Sequence, residues 1–307
     1  MIARLQQFWT LGTLLGLALW LLWAWPHSPV AAVVGALMGS FFFSLLLGLQ
    51  FMLMRRANRS DPAPQASTGQ VLRAWWAEMG ATVRVFCWRQ PFRSRSVPDW
   101  LPAPGARTGP GTAPRGVVLV HGLLCNRGVW LPWMEPLRAR GHAFVAVNLE
   151  PVFGTIDDYA PLIEDAVQRV TQATGRAPVL VCHSMGGMAV RAWLRTCQAS
   201  QAEARVHRVI TLGTPHGGTA LAQFSRTPNG MQMRLASDWL LALQRSEPAS
   251  RAALFTCWYS NCDNLVFPAS TGLLPGAEAR FLPGVAHVQM ASHKPLIKTC
   301  LEILQRD

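Results

Sequence analysis

From Leu5 to Met54 the chain carries no Asp, Glu, Lys or Arg, and the apolar run is interrupted only by Pro26-His27-Ser28-Pro29. The two blocks on either side, Leu5 to Trp25 and Val30 to Met54, are each close to the ~20 residues that cross a bilayer as a helix. Residues 1–59 are therefore predicted to form a transmembrane helical hairpin, with helices over about 5–25 and 30–54. Trp9 near one end of the first block, and Trp20, Trp23 and Trp25 near the other, stand where amphipathic rings favour the membrane interface. Gly35, Gly39 and Ser40 either let the two helices approach closely or simply face lipid. A cleaved signal peptide has one short apolar run and a small-residue cleavage site, so the second long run argues for an anchor.

The pattern then changes period. Ser60 to Gly69 is a polar, proline-containing linker, and Val71, Leu72, Trp75, Trp76 and Met79 recur at helical spacing over 70–79. Such a stripe packs on a domain or lies on a membrane surface. Arg93 to Arg115, rich in Pro, Gly and Arg, reads as an irregular connection, so 60–115 is assigned as linker and juxtamembrane helix. From Gly116 onward short apolar runs alternate with amphipathic stretches. Strands are predicted from Gly116 into the turn at His121-Gly122, then at Ala143–Leu149, Val179–His183, Val206–Leu212, Ala253–Tyr259 and Ala279–Leu282. Helices are predicted at Val129–Arg140, Tyr159–Thr174, Met188–Leu194 and Gln289–Leu304. Alternation of this kind specifies an α/β domain over 116–307, a mostly parallel sheet with helices on both faces. In such sheets the working residues gather at the carboxyl ends of the strands.

Composition adds to the membrane reading. Half of the 307 residues are hydrophobic, yet Lys and Arg outnumber Asp and Glu by 28 to 16, giving a net charge of +12. Nearly all of that positive charge is arginine, scattered along the chain, which favours anionic membrane surfaces or reflects compositional drift. No zinc-finger spacing, RNA-binding signature or basic run interleaved with aromatics points to nucleic acid. Arg4 precedes the hairpin and Arg55, Arg56 and Arg59 follow it, while its turn holds no Lys or Arg. The positive-inside rule then puts both ends, and the remaining chain, on the cytoplasmic side of the inner (cytoplasmic) membrane. The seven cysteines have no metal-ligand spacing and read as reduced thiols. Cys257 and Cys262 are close enough in sequence to pair if the domain were exported.

One stretch carries candidate chemistry. Val179-Leu180-Val181-Cys182-His183-Ser184-Met185-Gly186-Gly187 reads as strand, sharp turn and helix, which lifts a serine oxygen clear of the sheet edge. Small residues are needed two before and two after the serine; Gly186 meets the second requirement, and Cys182 stands where a glycine is usual. A serine hydroxyl needs a base to take its proton, and the base needs a carboxylate to fix its tautomer. Asp263 follows the Ala253–Tyr259 strand and His287 follows the Ala279–Leu282 strand. The order Ser184, Asp263, His287, each at a strand end, is that of an α/β-hydrolase triad. His183 is expected to point away from the serine, His293 to fall inside the last helix, and Asp157 and Asp158 to cap a helix. Asp238 is the alternative acid. Backbone N–H groups of Leu123 and Met185 are the candidate oxyanion donors, with His121 and Gly122 shaping the first of those loops.

Val120-His121-Gly122, Cys182-His183-Ser184-Met185-Gly186-Gly187, Leu212-Gly213-Thr214-Pro215-His216-Gly217-Gly218-Thr219, Asp263 ahead of Val266 and Pro268, and Gly284-Val285-Ala286-His287 together resemble the α/β-hydrolase lipases and esterases. They look closest to the bacterial triacylglycerol lipase and GPI-inositol-deacylase-like branch, over about 115–304. The resemblance implies the α/β-hydrolase fold and a serine carboxylic-ester hydrolase acting through an acyl-enzyme, with no metal or cofactor. It also implies a cap or lid over about 220–250, where Phe224, Met231, Met233, Leu235, Trp239, Leu240 and Leu243 lie. An ordinary buried helix is the alternative reading of that segment. Secreted lipases lack a membrane hairpin; here the hairpin points to lipid or acyl-ester substrates beside a bilayer. An acyltransferase using the same triad, or a non-catalytic membrane-tethered binding module, are the other readings of the same residues.

Overall fold

Ser28 and Pro29 set the corner of the N-terminal hairpin. In the computed structural model, which describes residues 1–102, 114–197 and 204–306, helix α1 runs Ile2–Ala24 and helix α2 runs Pro29–Ala57. The Ser28 hydroxyl accepts from the backbone N–H of Ala31 at 3.2 Å. It satisfies a donor that a helix start leaves bare, and Pro29 brings a φ already helical at a position that needs no donor. Both helices are long and apolar enough to cross a membrane. Gly35 is where they meet: a Cβ there would overlap the Trp20 indole, whose Nε1 donates to the carbonyl of Ala32 at 3.0 Å. Gly39 faces open space, and the side chain of Ser40 lies outside what is described.

The far ends of the hairpin pack on protein. Leu47, Phe51 and Met54 of α2 are buried with Val71 and Ala74 and with Cys262, Phe267 and Ala286 of two later loops. Helix α3, Thr68–Thr82, starts at a capping box in which Gln70 N–H donates to Ser67 Oγ and Ser67 N–H to Gln70 Oε1, so two of the donors left bare at that helix start are satisfied. The helix is longer than the 70–79 stripe suggested and continues through a wider π-helical stretch, Val83–Arg89, to Phe92. The buried face of α3 is Val71, Ala74, Glu78 and Ala81, whereas Leu72 and Trp76 are exposed. The stripe thus divides between the domain and the outside. Residues 93–102 are irregular, with Trp100 bridging Phe144, and 103–113 lie outside the described residues.

Six parallel strands follow: β1 Val117–Val120, β2 Phe144–Ala146, β3 Val179–His183, β4 Arg208–Leu212, β5 Phe255–Tyr259 and β6 Glu278–Phe281. They lie in the order β2-β1-β3-β4-β5-β6. Alternate residues bury opposite faces. Val118, Val120, Leu180, Cys182 and Val209 meet α5 (Ala160–Thr174) and α6 (Met185–Thr196) on one side. Val117, Leu119, Val179, Val181 and Ile210 meet Trp130, Trp133 and Leu137, at and in α4 (Leu131–Ala139), and the C-terminal helix on the other. Runs apolar at every position are what a sheet covered on both faces requires. The region predicted as cap holds two short helices, α7 (Pro228–Gln232) and α8 (Asp238–Ser246).

The closing helix predicted at Gln289–Leu304 is broken. It is α9, His287–Met290, then α10, Lys294–Arg306. Pro295 lacks an N–H and its ring excludes the preceding turn, so it sits in the first turn of a new helix. His293 is at that start, not inside a helix, with its Nδ1 accepting from Leu296 N–H at 3.4 Å.

Candidate active site

Ser184 stands on the turn between β3 and α6 with φ 56° and ψ −130°. A side chain is strained at positive φ, and such strain persists only where the surroundings over-determine it. Those surroundings are tight: a Cβ on Gly186 would overlap the carbonyl oxygens of Val120 and His121. Ser184 N–H donates to Leu212 O at 2.9 Å, and Thr214 Oγ1 donates to Ser184 O at 2.8 Å. The turn is clamped between the ends of β1 and β4. Cys182, in place of the usual glycine, is wholly buried in the sheet face beneath it.

Asp263 and His287 come together 24 residues apart in sequence, with His287 Nδ1 at 2.9 Å from Oδ2 and 3.0 Å from Oδ1. Asp263 Oδ1 also accepts from the N–H groups of Leu265 and Val266, at 3.0 and 2.7 Å. Both side chains are about 2–3% exposed. Burial disfavours the charged imidazole, but the Asp263 carboxylate, and more weakly Glu78, outweigh it and hold the His287 pKa above its ordinary value. Gly213, at φ +56°, makes the space: a Cβ there would lie 2.8 Å from Asp263 Oδ2 and 3.1 Å from His287 Nδ1. That gives the Gly-Thr-Pro-His segment a physical reason.

Ser184, His287 and Leu123 all line one cavity of about 320 Å³, whose other walls include Phe86, Leu124, Leu221, Ala222, Met233, Val266 and Val288. The wall is almost entirely apolar, so it suits an acyl chain better than a charged group. Phe86 comes from the π-helical stretch, and Leu221, Ala222 and Met233 come from the segment predicted as cap. Met185 is not in the wall; its side chain is buried and its backbone opens α6 directly after the serine. His121 shapes the Leu123 loop: its Nε2 accepts from Leu149 N–H at 3.1 Å, so its Nδ1–H donates to Gly122 O at 2.9 Å. Burial pushes His121 down to about 4, which keeps that tautomer neutral.

The other sequence candidates lie elsewhere. Asp158 caps the turn at Thr155, while Asp157 pairs with Arg195 and accepts from Trp239 Nε1 at 2.7 Å. Asp238 opens α8, and the carboxylate at His287 Nδ1 is that of Asp263. His183 does not merely point away: its Nε2–H donates to the carbonyl of His287 at 3.0 Å, and the two rings are 4.7 Å apart. Burial, with the charge of His287 adding to it, pushes His183 down to about 3. All seven cysteines, Cys257 and Cys262 included, are free.

Sequence reasoning missed Glu78 and Asn264. Glu78, 1% exposed, accepts from the N–H groups of Val288 and Gln289 at 2.8 and 2.9 Å. Burial pushes its carboxyl up to about 7, against the pull of those donors and of His287. Asn264 Oδ1 accepts from His287 N–H at 3.2 Å. A signal was present for Glu78: it is the only acidic residue between Asp61 and Asp99, and it falls seven residues after Val71, on the same helix face.

A parallel sheet with a strained serine after its central strand, and a carboxylate-imidazole pair on the loops after the strands that follow, defines an α/β hydrolase architecture. The chain belongs to the alpha/beta hydrolase family, whose sequence model matches residues 117–297. Among solved structures, the mature form of the Bacillus licheniformis lipase BlEst2 is similar at a TM-score of 0.56 and 18% identity, covering 66% of this chain and 95% of that one. Aspergillus fumigatus lipase B is similar at a TM-score of 0.54 and 15% identity, covering 67% of this chain and 56% of the other. At these identities the likeness is one of fold. No curated protein matches the sequence.

Proposed function

We propose that this protein is a membrane-anchored serine hydrolase of carboxylic esters with apolar, lipid-like acyl groups. Ser184 Oγ attacks the ester carbonyl while His287 Nε2 takes its proton; Asp263 holds the Nδ1–H tautomer and stabilises the imidazolium. The N–H groups of Leu123 and Met185 receive the oxyanion. His287 returns the proton to the leaving alcohol, and a water then cleaves the acyl-enzyme by the same route. The observation that carries this reading is the buried Asp263–His287 pair, 2.9 Å apart, at the wall of an apolar cavity that Ser184 also lines. Similarity in fold to two lipases agrees with an ester substrate.

The two apolar N-terminal helices supply the anchor in this reading. Trp23 and Trp25 at their turn are exposed, both outer ends pack on the domain, and the flanking arginines favour the cytoplasmic face. The test is labelling of the full chain with a fluorophosphonate probe, together with turnover of p-nitrophenyl esters of several chain lengths. Wild type is expected to label and to prefer acyl chains that fill about 320 Å³, and Ser184→Ala to do neither. An unlabelled, inactive wild type would refute the enzyme reading. A reporter fused to the C-terminus that is active outside the cytoplasm would overturn the orientation.

A further inference from the structure

His287 is held by more than Asp263. Its own backbone N–H and the next two N–H groups belong to the first turn of α9, where a helix has no internal acceptors to offer. All three are taken by side chains that lead back to the N-terminal helices. His287 N–H donates to Asn264 Oδ1 at 3.2 Å, and the Asn264 amide donates to Gln50 Oε1 of α2 at 2.8 Å. Val288 and Gln289 N–H donate to the two oxygens of Glu78 on α3 at 2.8 and 2.9 Å. These partners are 210 to 214 residues away in sequence. Around them the end of α2, the face of α3, Cys262, Phe267 and Ala286 form one apolar cluster.

A buried carboxylate is expensive to keep unless its lone pairs are satisfied. Glu78 satisfies two with the loop that carries His287, when an apolar residue would have packed on the neighbouring Val71 and Ala74 with less desolvation. The charged groups acting on its carboxylate are His287 and Asp263. Glu78 therefore sits where it fixes the main chain of the imidazole and, in its ionised form, adds negative charge behind it.

We infer that Glu78, and Gln50 acting through Asn264, are positioning residues for His287, so that the apolar hairpin and α3 are structural parts of the active site. This rests on the hydrolase reading above. The side chains touch neither substrate nor reacting atoms; they act through the backbone of residues 287–289, and Glu78 also through its charge. A shift of the imidazole by about 1 Å is enough to cost ~100-fold in rate.

The test measures kcat, KM and the pH profile of p-nitrophenyl ester hydrolysis by the full-length protein in detergent micelles, for wild type, Ser184→Ala, Glu78→Gln and Gln50→Leu. Ser184→Ala reports on the hydrolase reading alone: if it abolishes turnover that reading stands, whatever the other variants do. Glu78→Gln is expected to lower kcat by roughly 10- to 100-fold with KM within about twofold. Its acid limb of kcat/KM should also move to lower pH, because a neutral amide no longer favours the imidazolium; a merely structural role leaves that limb in place. A folded Glu78→Gln with wild-type kcat and an unmoved acid limb overturns the inference. Should Glu78→Gln fail to fold, Gln50→Leu decides: a lowered kcat at unchanged KM upholds the inference, and a wild-type kcat overturns it.

Discussion

At His287 two opposing effects meet. Burial favours the neutral ring and the Asp263 carboxylate favours the charged one, and the carboxylate prevails. In its proposed role as general base His287 works only when neutral, so activity should rise with pH through a midpoint above the ordinary imidazole value of about 6.5. A pH profile of kcat/KM checks this, and an acid limb well below that value would contradict it. Gly213 permits a sharper test. Gly213→Ala places a Cβ against the Asp263 carboxylate, 2.8 Å away, at φ +56°. The backbone strain alone is about 1–2 kcal/mol, and the clash falls on the Asp263–His287 pair. The variant should melt several degrees lower and lose most turnover; thermal unfolding alongside kcat separates the two effects.

Helix α6 is fixed beneath Ser184 at one end, and along its length Arg191 is wholly buried. Arg191 pairs with Glu247, just past α8, at 2.6 and 2.9 Å, and donates to His216 O at 2.9 Å. Breaking a buried pair leaves a charge with no compensation, at a cost of about 3–5 kcal/mol. Glu247→Ala is therefore expected to destabilise the protein by that order in denaturant unfolding. Arg191→Met with Glu247→Leu should recover much of the loss, since the site then holds no bare charge. A Glu247→Ala variant as stable as wild type would show that the pair is solvated. The cap region divides in a similar way: Leu240, Leu243 and Met233 are buried, whereas Phe224, Met231 and Leu235 are exposed. Helical spacing alone had grouped them together.

Across the whole molecule the hairpin and the domain are one structure. Gln6 Nε2 of α1 donates to Leu124 O at 3.0 Å, beside the candidate oxyanion loop, while Gln50 of α2 holds Asn264 beside the candidate base. Asn58 Oδ1 accepts from Ala269 N–H at 3.0 Å. Leu47, Phe51 and Met54 each bury a side chain worth about 1.5–3 kcal/mol on the domain. Deleting residues 1–59 should therefore yield a domain that associates through the Phe267 face that the deletion uncovers, or that stays monomeric in detergent with kcat lowered at least tenfold. Size-exclusion chromatography and kcat against the full chain check this; a monomeric truncated domain with wild-type kcat would refute it.

Much of this protein was legible in the chain because the signals are local. An uncharged run from Leu5 to Met54, the wholly apolar strands β1 and β2, and a serine between a β-run and a helix each depend on residues a few positions apart. The candidates Ser184, Asp263 and His287 could be picked out because each follows a strand, and the structure pairs Asp263 with His287 at the wall of a cavity that Ser184 also lines. The break at Pro295 was also local, yet was lost inside a continuous apolar period. What only the tertiary structure decided is which residues face one another across long separations. It turned Glu78 inward instead of Leu72 and Trp76, set Gln50 against Asn264, placed His183 behind His287, and carried Phe86 into the cavity wall. Helical periodicity says that a face is buried but not against what. A carboxylate on such a face acquires its meaning from the backbone donors that fold onto it from about two hundred residues away.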